Sequence, residues 1–169
     1  MAELEFVLGG TRSGKSRFAL ARALALGGDA VTYIATARRG DVELDERIAE
    51  HRRVRPARWE TVEIDDGLAE AVRGAPAERV LLIDSLTLWA SVLFEATPSL
   101  EGAWLPVAGA IAARARPVVA VSDEVGLGIV PATEVGRRFR DELGRLNQAV
   151  ARDATSVVLM VAGLALPLK

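Results

Sequence analysis

The sequence predicts an α/β fold, a mostly parallel sheet flanked by helices, and three observations carry the prediction. Short apolar runs alternate with segments of helical spacing along the whole chain. The runs are rich in Val, Ile and Leu at every position, the composition of strands covered on both faces. A glycine-rich loop joins the first run to the first helical segment. Alternation of this kind implies parallel strands linked by right-handed crossovers.

The first strand is LEFVL, Leu4–Leu8, followed after a loop by helical spacing over Lys15–Leu26. VTYIA, Val31–Ala35, is the second apolar run. Leu44–Val54 is helix-compatible: Leu44, Ile48 and His51 fall at i, i+4 and i+7 on one face. Pro56 ends that helix and restricts Arg55 before it. Arg58–Ile64 alternates and reads as a further strand. Helical spacing over Gly67–Arg73 and Leu86–Phe94 flanks the run VLLID, Val80–Asp84. Residues 96–109, ATPSLEGAWLPVAG, read as a long excursion between elements. PVVAVS, Pro117–Ser122, and SVVLMV, Ser156–Val161, enclose a helical pattern over Thr133–Arg152. Gly163 then sets off a last short segment, Leu164–Leu168, whose Pro167 suits a sheet edge. No repeat, low-complexity tract or boundary divides residues 1–169, so a single nucleotide-binding catalytic domain is expected.

Composition narrows the function classes. Half the 169 residues are hydrophobic and 26% are charged, a globular balance. A net charge of −2 provides no field to recruit nucleic acid or an anionic membrane. With no cysteine, disulfides, thiolate metal sites and a cysteine nucleophile are excluded. Arginine supplies 19 of the 21 basic residues, which favours planar, bidentate contacts to carboxylate or phosphate. The acidic N-terminus does not resemble a secretory signal, and the longest apolar stretches fall short of a membrane span. The expectation is a soluble, cytoplasmic protein without stable membrane insertion.

The loop after the first strand is Gly9, Gly10, Thr11, Arg12, Ser13, Gly14, Lys15, Ser16, the G-x-x-x-x-G-K-[ST] pattern in its strand-to-helix context. Its glycines let backbone N–H groups converge on phosphate oxygens, and the helix N-terminus adds positive potential. Lys15 is placed to reach β- and γ-phosphates, and the Ser16 hydroxyl to ligate Mg²⁺. Such a loop needs an acid at the end of another strand. Asp84 ends VLLID and fits that metal role, with capping of the following helix as its other use.

His51 is the only histidine, and Arg52, Arg53, Arg55 and Arg58 follow it within seven positions. A neutral imidazole offers a lone pair at pH 7, which surrounding arginines favour. The same arginines would stabilise charge on an attacked phosphate. This arrangement suits attack on the α-phosphate of a nucleoside triphosphate, leaving nucleotidyl-histidine and pyrophosphate. A half-buried histidine hydrogen-bonded to backbone fits the same periodicity.

These residues together resemble a known family, the bifunctional adenosylcobinamide kinase/adenosylcobinamide-phosphate guanylyltransferases of cobalamin biosynthesis. The resemblance runs nearly end to end: GGTRSGKS; YIAT at Tyr33–Thr36; RIAEHRRVRPARWETVE at Arg47–Glu63; LLIDSLTLW at Leu81–Trp89; EVGLGIVP at Glu124–Pro131; and FRDELGRLNQ at Phe139–Gln148. It implies a RecA-like P-loop NTPase fold and a homotrimer. It places the guanylylated histidine at His51, and nucleotide contacts at the P-loop, Ala35, Thr36, Ala37, Arg52, Arg53, Val54, Arg55, Glu63 and Asp84. The implied substrates are a corrinoid with GTP and ATP, and the implied metal is Mg²⁺. Here Asp84 stands where some members have glutamate, Ser85 where cysteine is frequent, and Asp123 where asparagine is usual. Two rivals remain in view: a small-molecule P-loop kinase without nucleotidyl transfer, and a non-enzymatic RecA-like nucleotide switch.

Overall fold

A computed structural model of the chain describes residues 2–36 and 56–169. Along the chain, β1 (Leu4–Gly9) leads into α1 (Lys15–Gly27) and β2 (Val31–Ala35). Next come β3 (Glu60–Glu63), α2 (Leu68–Gly74), β4 (Val80–Asp84), α3 (Leu86–Leu93) and α4 (Leu100–Ala112). The last elements are β5 (Val118–Asp123), α5 (Glu134–Asp153), β6 (Ser156–Val161) and β7 (Leu164–Pro167). The helix expected over Leu44–Val54 lies outside the described residues.

The strands form one sheet in the order β3-β2-β4-β5-β1-β6-β7. Every pairing is parallel except β6 with β7. The apolar runs lack alternation because both faces are covered. On one face Val7, Tyr33, Leu82, Val119 and Val121 pack with Ala19 and Ala23 of α1. On the other, Phe6, Leu8, Ile34, Leu81, Ile83 and Ala120 pack with apolar residues of α2 to α5. The two edges are the short β3, trimmed from the expected Arg58–Ile64, and β7. Pro167 sits in the latter, where its missing N–H interrupts no further ladder.

Residues 96–109 are not a long excursion: only 96–99 lie between elements and 100–109 belong to α4, which corrects this expectation. Ser99 caps α4 by accepting a hydrogen bond from Gly102 N at 3.0 Å. Leu100, Trp104, Val107 and Ile111 then recur at helical spacing and are all buried. Pro106 inside the helix masks the pattern in the sequence. Its cost is about 3 kcal/mol. Burial of each large apolar side chain contributes roughly 1.5–3 kcal/mol, so the stripe outweighs the proline. Trp104 Nε1 also donates to Asp153 Oδ2 at 2.7 Å, fastening α4 to the end of α5.

Arg114, in the turn before β5, holds the far side of this layer. It is 8% exposed, and its guanidinium donates to the carbonyls of Val72, Ala75, Pro76 and Arg79 at 2.7–3.0 Å. The first two end α2, so the side chain stands in for a helix cap. Burial pushes its pKa down from the usual arginine value, while Glu78 acts the other way. Arg114→Met should cost about 3 kcal/mol, because four carbonyls lose a charged donor at once. The measurement is a shift of the urea midpoint at unchanged slope. Arg114→Lys should rescue little of it, since one ammonium cannot span the four acceptors.

Candidate functional site

The phosphate loop is shaped by two glycines. Gly14 has φ of 95° and begins α1, a conformation that an L side chain would strain. At Gly9 an added Cβ would lie 2.4 Å from Ser13 Oγ and 2.9 Å from the Met160 carbonyl oxygen. The loop is braced from the β6–β7 turn by Gly163 N, which donates to Ser13 O at 2.9 Å. Thr11 and Arg12 lie exposed on its rim.

The start of α1 is left open for an anion. Helices α3, α4 and α5 are capped by Ser85, Ser99 and Thr133. By contrast, α1 has neither a side-chain cap nor an acidic residue in its first turn. The first N–H groups of a helix have no intrahelical partner and sit at its positive end, a ready phosphate site. Ser13 Oγ is buried with no hydrogen-bond partner among the described residues and adds a hydroxyl to this cradle. Lys15 follows, only 7% exposed, donating to Gly10 O at 3.1 Å. Its Nζ also pairs with Asp123 Oδ1 at 2.5 Å.

Strand register lines up the acids. Glu63, Ala35 and Asp84 are Cα partners on adjacent strands β3, β2 and β4. Alternation from Tyr33 and Leu82 puts all three on the α1 face, at the strands' C-terminal edge. Asp123, two residues after Val121, shares that face and is registered with Gly9. Asp84 accepts a hydrogen bond from Tyr33 OH at 2.8 Å. Capping of α3 falls to Ser85, whose Oγ accepts from Leu88 N, so Asp84 is not the cap.

Thr36 is buried, and its hydroxyl bridges Ser85, donating to the carbonyl at 2.7 Å and accepting from the N–H at 2.9 Å. It therefore braces the turn after Asp84. Glu124 folds onto its own loop, its Oε1 accepting from Gly126 N at 2.6 Å.

Ser16 and Asp84 are a ligand pair that fits a hydrated Mg²⁺ ion. Among the described residues no group of three or more His, Asp or Glu side chains gathers to hold a metal. Mg²⁺ takes one or two protein ligands and fills the rest of its octahedron with phosphate oxygens and water. Half-buried Ser16, in the first turn of α1, and Asp84, on the α1 face, suit that division. Strand β5 lies between β4 and β1, setting Asp84 roughly 10 Å across the sheet from the loop strand.

The structure thus brings together Gly9, Gly10, Ser13, Gly14, Lys15 and Ser16, with Ala35, Glu63 and Asp84 along the same edge. Ala37, His51, Arg52, Arg53, Val54 and Arg55 lie outside the described residues. Sequence reasoning singled out neither the Tyr33–Asp84 hydrogen bond nor the Lys15–Asp123 pair. For the second a signal existed: an acid directly after an apolar run. Its meaning depends on β5 being the neighbour of β1, which no local pattern states.

Comparison with known proteins shows the family and the fold. Residues 5–168 match the family described as cobinamide kinase / cobinamide phosphate guanyltransferase, CobU. The bifunctional adenosylcobalamin biosynthesis protein CobP of Pseudomonas aeruginosa is 47% identical, with 98% of this chain and 96% of the relative covered. The bifunctional adenosylcobalamin biosynthesis protein CobU of Escherichia coli is 39% identical over 96% of this chain and 98% of its own. Two solved structures share the fold at low identity. The flagellar accessory protein FlaH of Methanocaldococcus jannaschii has a TM-score of 0.53 at 15% identity, covering 99% of this chain and 78% of its own. The ATPase domain of G40P has a TM-score of 0.54 at 13% identity, covering 93% and 68%. The chain is a member of the cobinamide kinase / cobinamide phosphate guanyltransferase family, whose fold is that of the RecA-like P-loop ATPases.

Proposed function

We propose that this one site performs two transfers on one corrinoid. In the first, the hydroxyl of the aminopropanol arm of adenosylcobinamide attacks the γ-phosphorus of ATP or GTP. The bond to the β-phosphate oxygen breaks, the nucleoside diphosphate leaves, and the hydroxyl proton is released. In the second, a ring nitrogen of His51 attacks the α-phosphorus of GTP and pyrophosphate leaves. The phosphate of adenosylcobinamide phosphate then displaces the histidine and gives adenosylcobinamide-GDP.

The observation that carries this reading is the open head of α1 with buried Lys15, in a chain whose family match spans residues 5–168 and so includes the histidine–arginine segment. Lys15 and the helix N-terminus hold the triphosphate in both steps. Arg52, Arg53 and Arg55 stabilise charge on the attacked α-phosphate, and Ala35, Thr36, Ala37, Val54 and Glu63 complete the nucleotide contacts. Ser16 and Asp84 hold Mg²⁺, which supplies charge neutralisation at the phosphate oxygens when bound. A kinase without nucleotidyl transfer, or a nucleotide switch, would give His51 no task.

The test supplies adenosylcobinamide with γ-labelled ATP in one reaction and α-labelled GTP in another. Label should reach the corrinoid in both, passing through the protein only in the second. Corrinoid that takes γ-label and never α-label would leave only the kinase reading.

A homotrimer and cytoplasmic residence belong to the same proposal. Among the described residues no helix is long and apolar enough to cross a membrane. Supporting self-association, edge strand β7 presents Leu164 and Leu166 to solvent, the first at 75% exposure, and Leu168 just after the strand is exposed too. Light scattering should return a trimer of the 18.0 kDa chain; a monomer at working concentration would remove this part.

A further inference from the structure

We propose that Asp123 is a latch on the P-loop lysine: its carboxylate holds Lys15 in the nucleotide-free protein, and an incoming triphosphate must take the lysine from it. This goes beyond the two transfers, and it rests only on the P-loop being the triphosphate site.

The geometry is specific. Lys15 Nζ is satisfied twice, by the Asp123 carboxylate at 2.5 Å and the Gly10 carbonyl at 3.1 Å, with the lysine side chain 9% exposed. Asp123 is held on both sides of its backbone. Its N–H donates to Thr87 Oγ1 at 2.7 Å, and its carbonyl accepts from Asn147 Nδ2 at 3.1 Å. Thr87 lies in turn 3.3 Å from Ser122 Oγ, so α3, α5 and β5 together fix the acid's backbone. The next residue, Glu124, donates its N–H to Gly9 O at 3.1 Å and ties this strand end to the loop itself. A carboxylate so mounted is a standing competitor for the charge that phosphate needs.

Two consequences follow from linkage. Lys15 cannot give its charge fully to phosphate while it serves Asp123, so apparent nucleotide affinity is reduced by the work of separating the pair. The same pair compensates a buried ammonium in the empty protein, and its loss there lowers stability. Removing the negative charge should therefore shift the two readouts in opposite directions.

The experiment measures GTP binding calorimetrically with Mg²⁺ present, together with melting temperature, for the full chain and for Asp123→Asn and Asp123→Ser. Both variants should bind GTP roughly tenfold tighter. Both should melt lower without nucleotide, and saturating GTP should narrow that gap. Equal or weaker GTP binding in both variants would overturn the latch and assign the carboxylate to the nucleotide's metal shell. Tighter binding with no loss of nucleotide-free stability would overturn it too, leaving only repulsion of phosphate by Asp123. If one variant fails to fold, the other carries both readouts. Binding requires neither His51 nor corrinoid, so failure here is distinguishable from failure of the guanylyl-transfer reading.

Discussion

Lys15→Met should lower both transfers together, each by roughly 10²–10³-fold in turnover. Methionine keeps most of the buried stem's volume, so the change removes charge and donors more than packing. What is lost is the ammonium at the mouth of a helix whose N-terminus no side chain caps among the described residues. Asp123 is then left without its cation, but its side chain is 27% exposed and water can reach it. Lys15→Arg should not restore activity. The lysine ammonium meets the Gly10 carbonyl and Asp123 as a compact point charge, and a longer planar fork does not put its charge at the same place. Initial rates with γ-labelled ATP and with α-labelled GTP, measured separately, give the result. A loss confined to the γ-transfer would mean that another group anchors the triphosphate during attack at the α-phosphorus. The single-site reading would then have to be abandoned.

What the sequence made legible depended on how local the signal was. The loop Gly9–Ser16 is contiguous and sits between a strand and a helix, so its pattern and its structure coincide. The five apolar runs became strands because burial on both faces leaves an unmistakable composition. The helix that begins at Leu100 is hard to read because one proline outweighs a helical stripe locally, whereas the folded protein sums the burial of Leu100, Trp104, Val107 and Ile111. The pairing of Lys15 with Asp123 was hidden for a different reason. The two lie 108 positions apart and meet only because β5 inserts between β4 and β1. Strand order is a property of the whole chain, and nothing near Asp123 encodes it. For Asp84 the sequence left two uses open, and Ser85 resolves one of them by taking the cap.

His51→Ala should abolish the labelled protein adduct and reduce guanylyl transfer by about 10⁴-fold or more, while leaving the kinase step within a few-fold of its normal rate. The asymmetry follows from the chemistry of the two acceptors. In the kinase step the attacking oxygen belongs to the corrinoid, and the enzyme positions phosphate without forming a bond to it. In the second step the reading requires a nitrogen of the enzyme itself to bond to phosphorus. Deleting that nitrogen removes a covalent stage rather than trimming its barrier. Imidazole suits the task because its neutral form is populated at pH 7 and needs no base to free its lone pair. His51 is the only imidazole in the chain, and there is no cysteine to replace it as nucleophile. A phosphoramidate is acid-labile and base-stable, so acid and base challenge of protein incubated with α-labelled GTP identifies the bond. Mass spectrometry then assigns a GMP increment to the peptide holding residue 51. An acid-labile, base-stable adduct persisting on His51→Ala would transfer the nucleophile's role to another residue. Equal losses in both steps would instead make His51 a determinant of nucleotide binding or of the fold. Loss of the adduct and of α-transfer together, with γ-transfer retained, is the outcome that a guanylylated histidine requires.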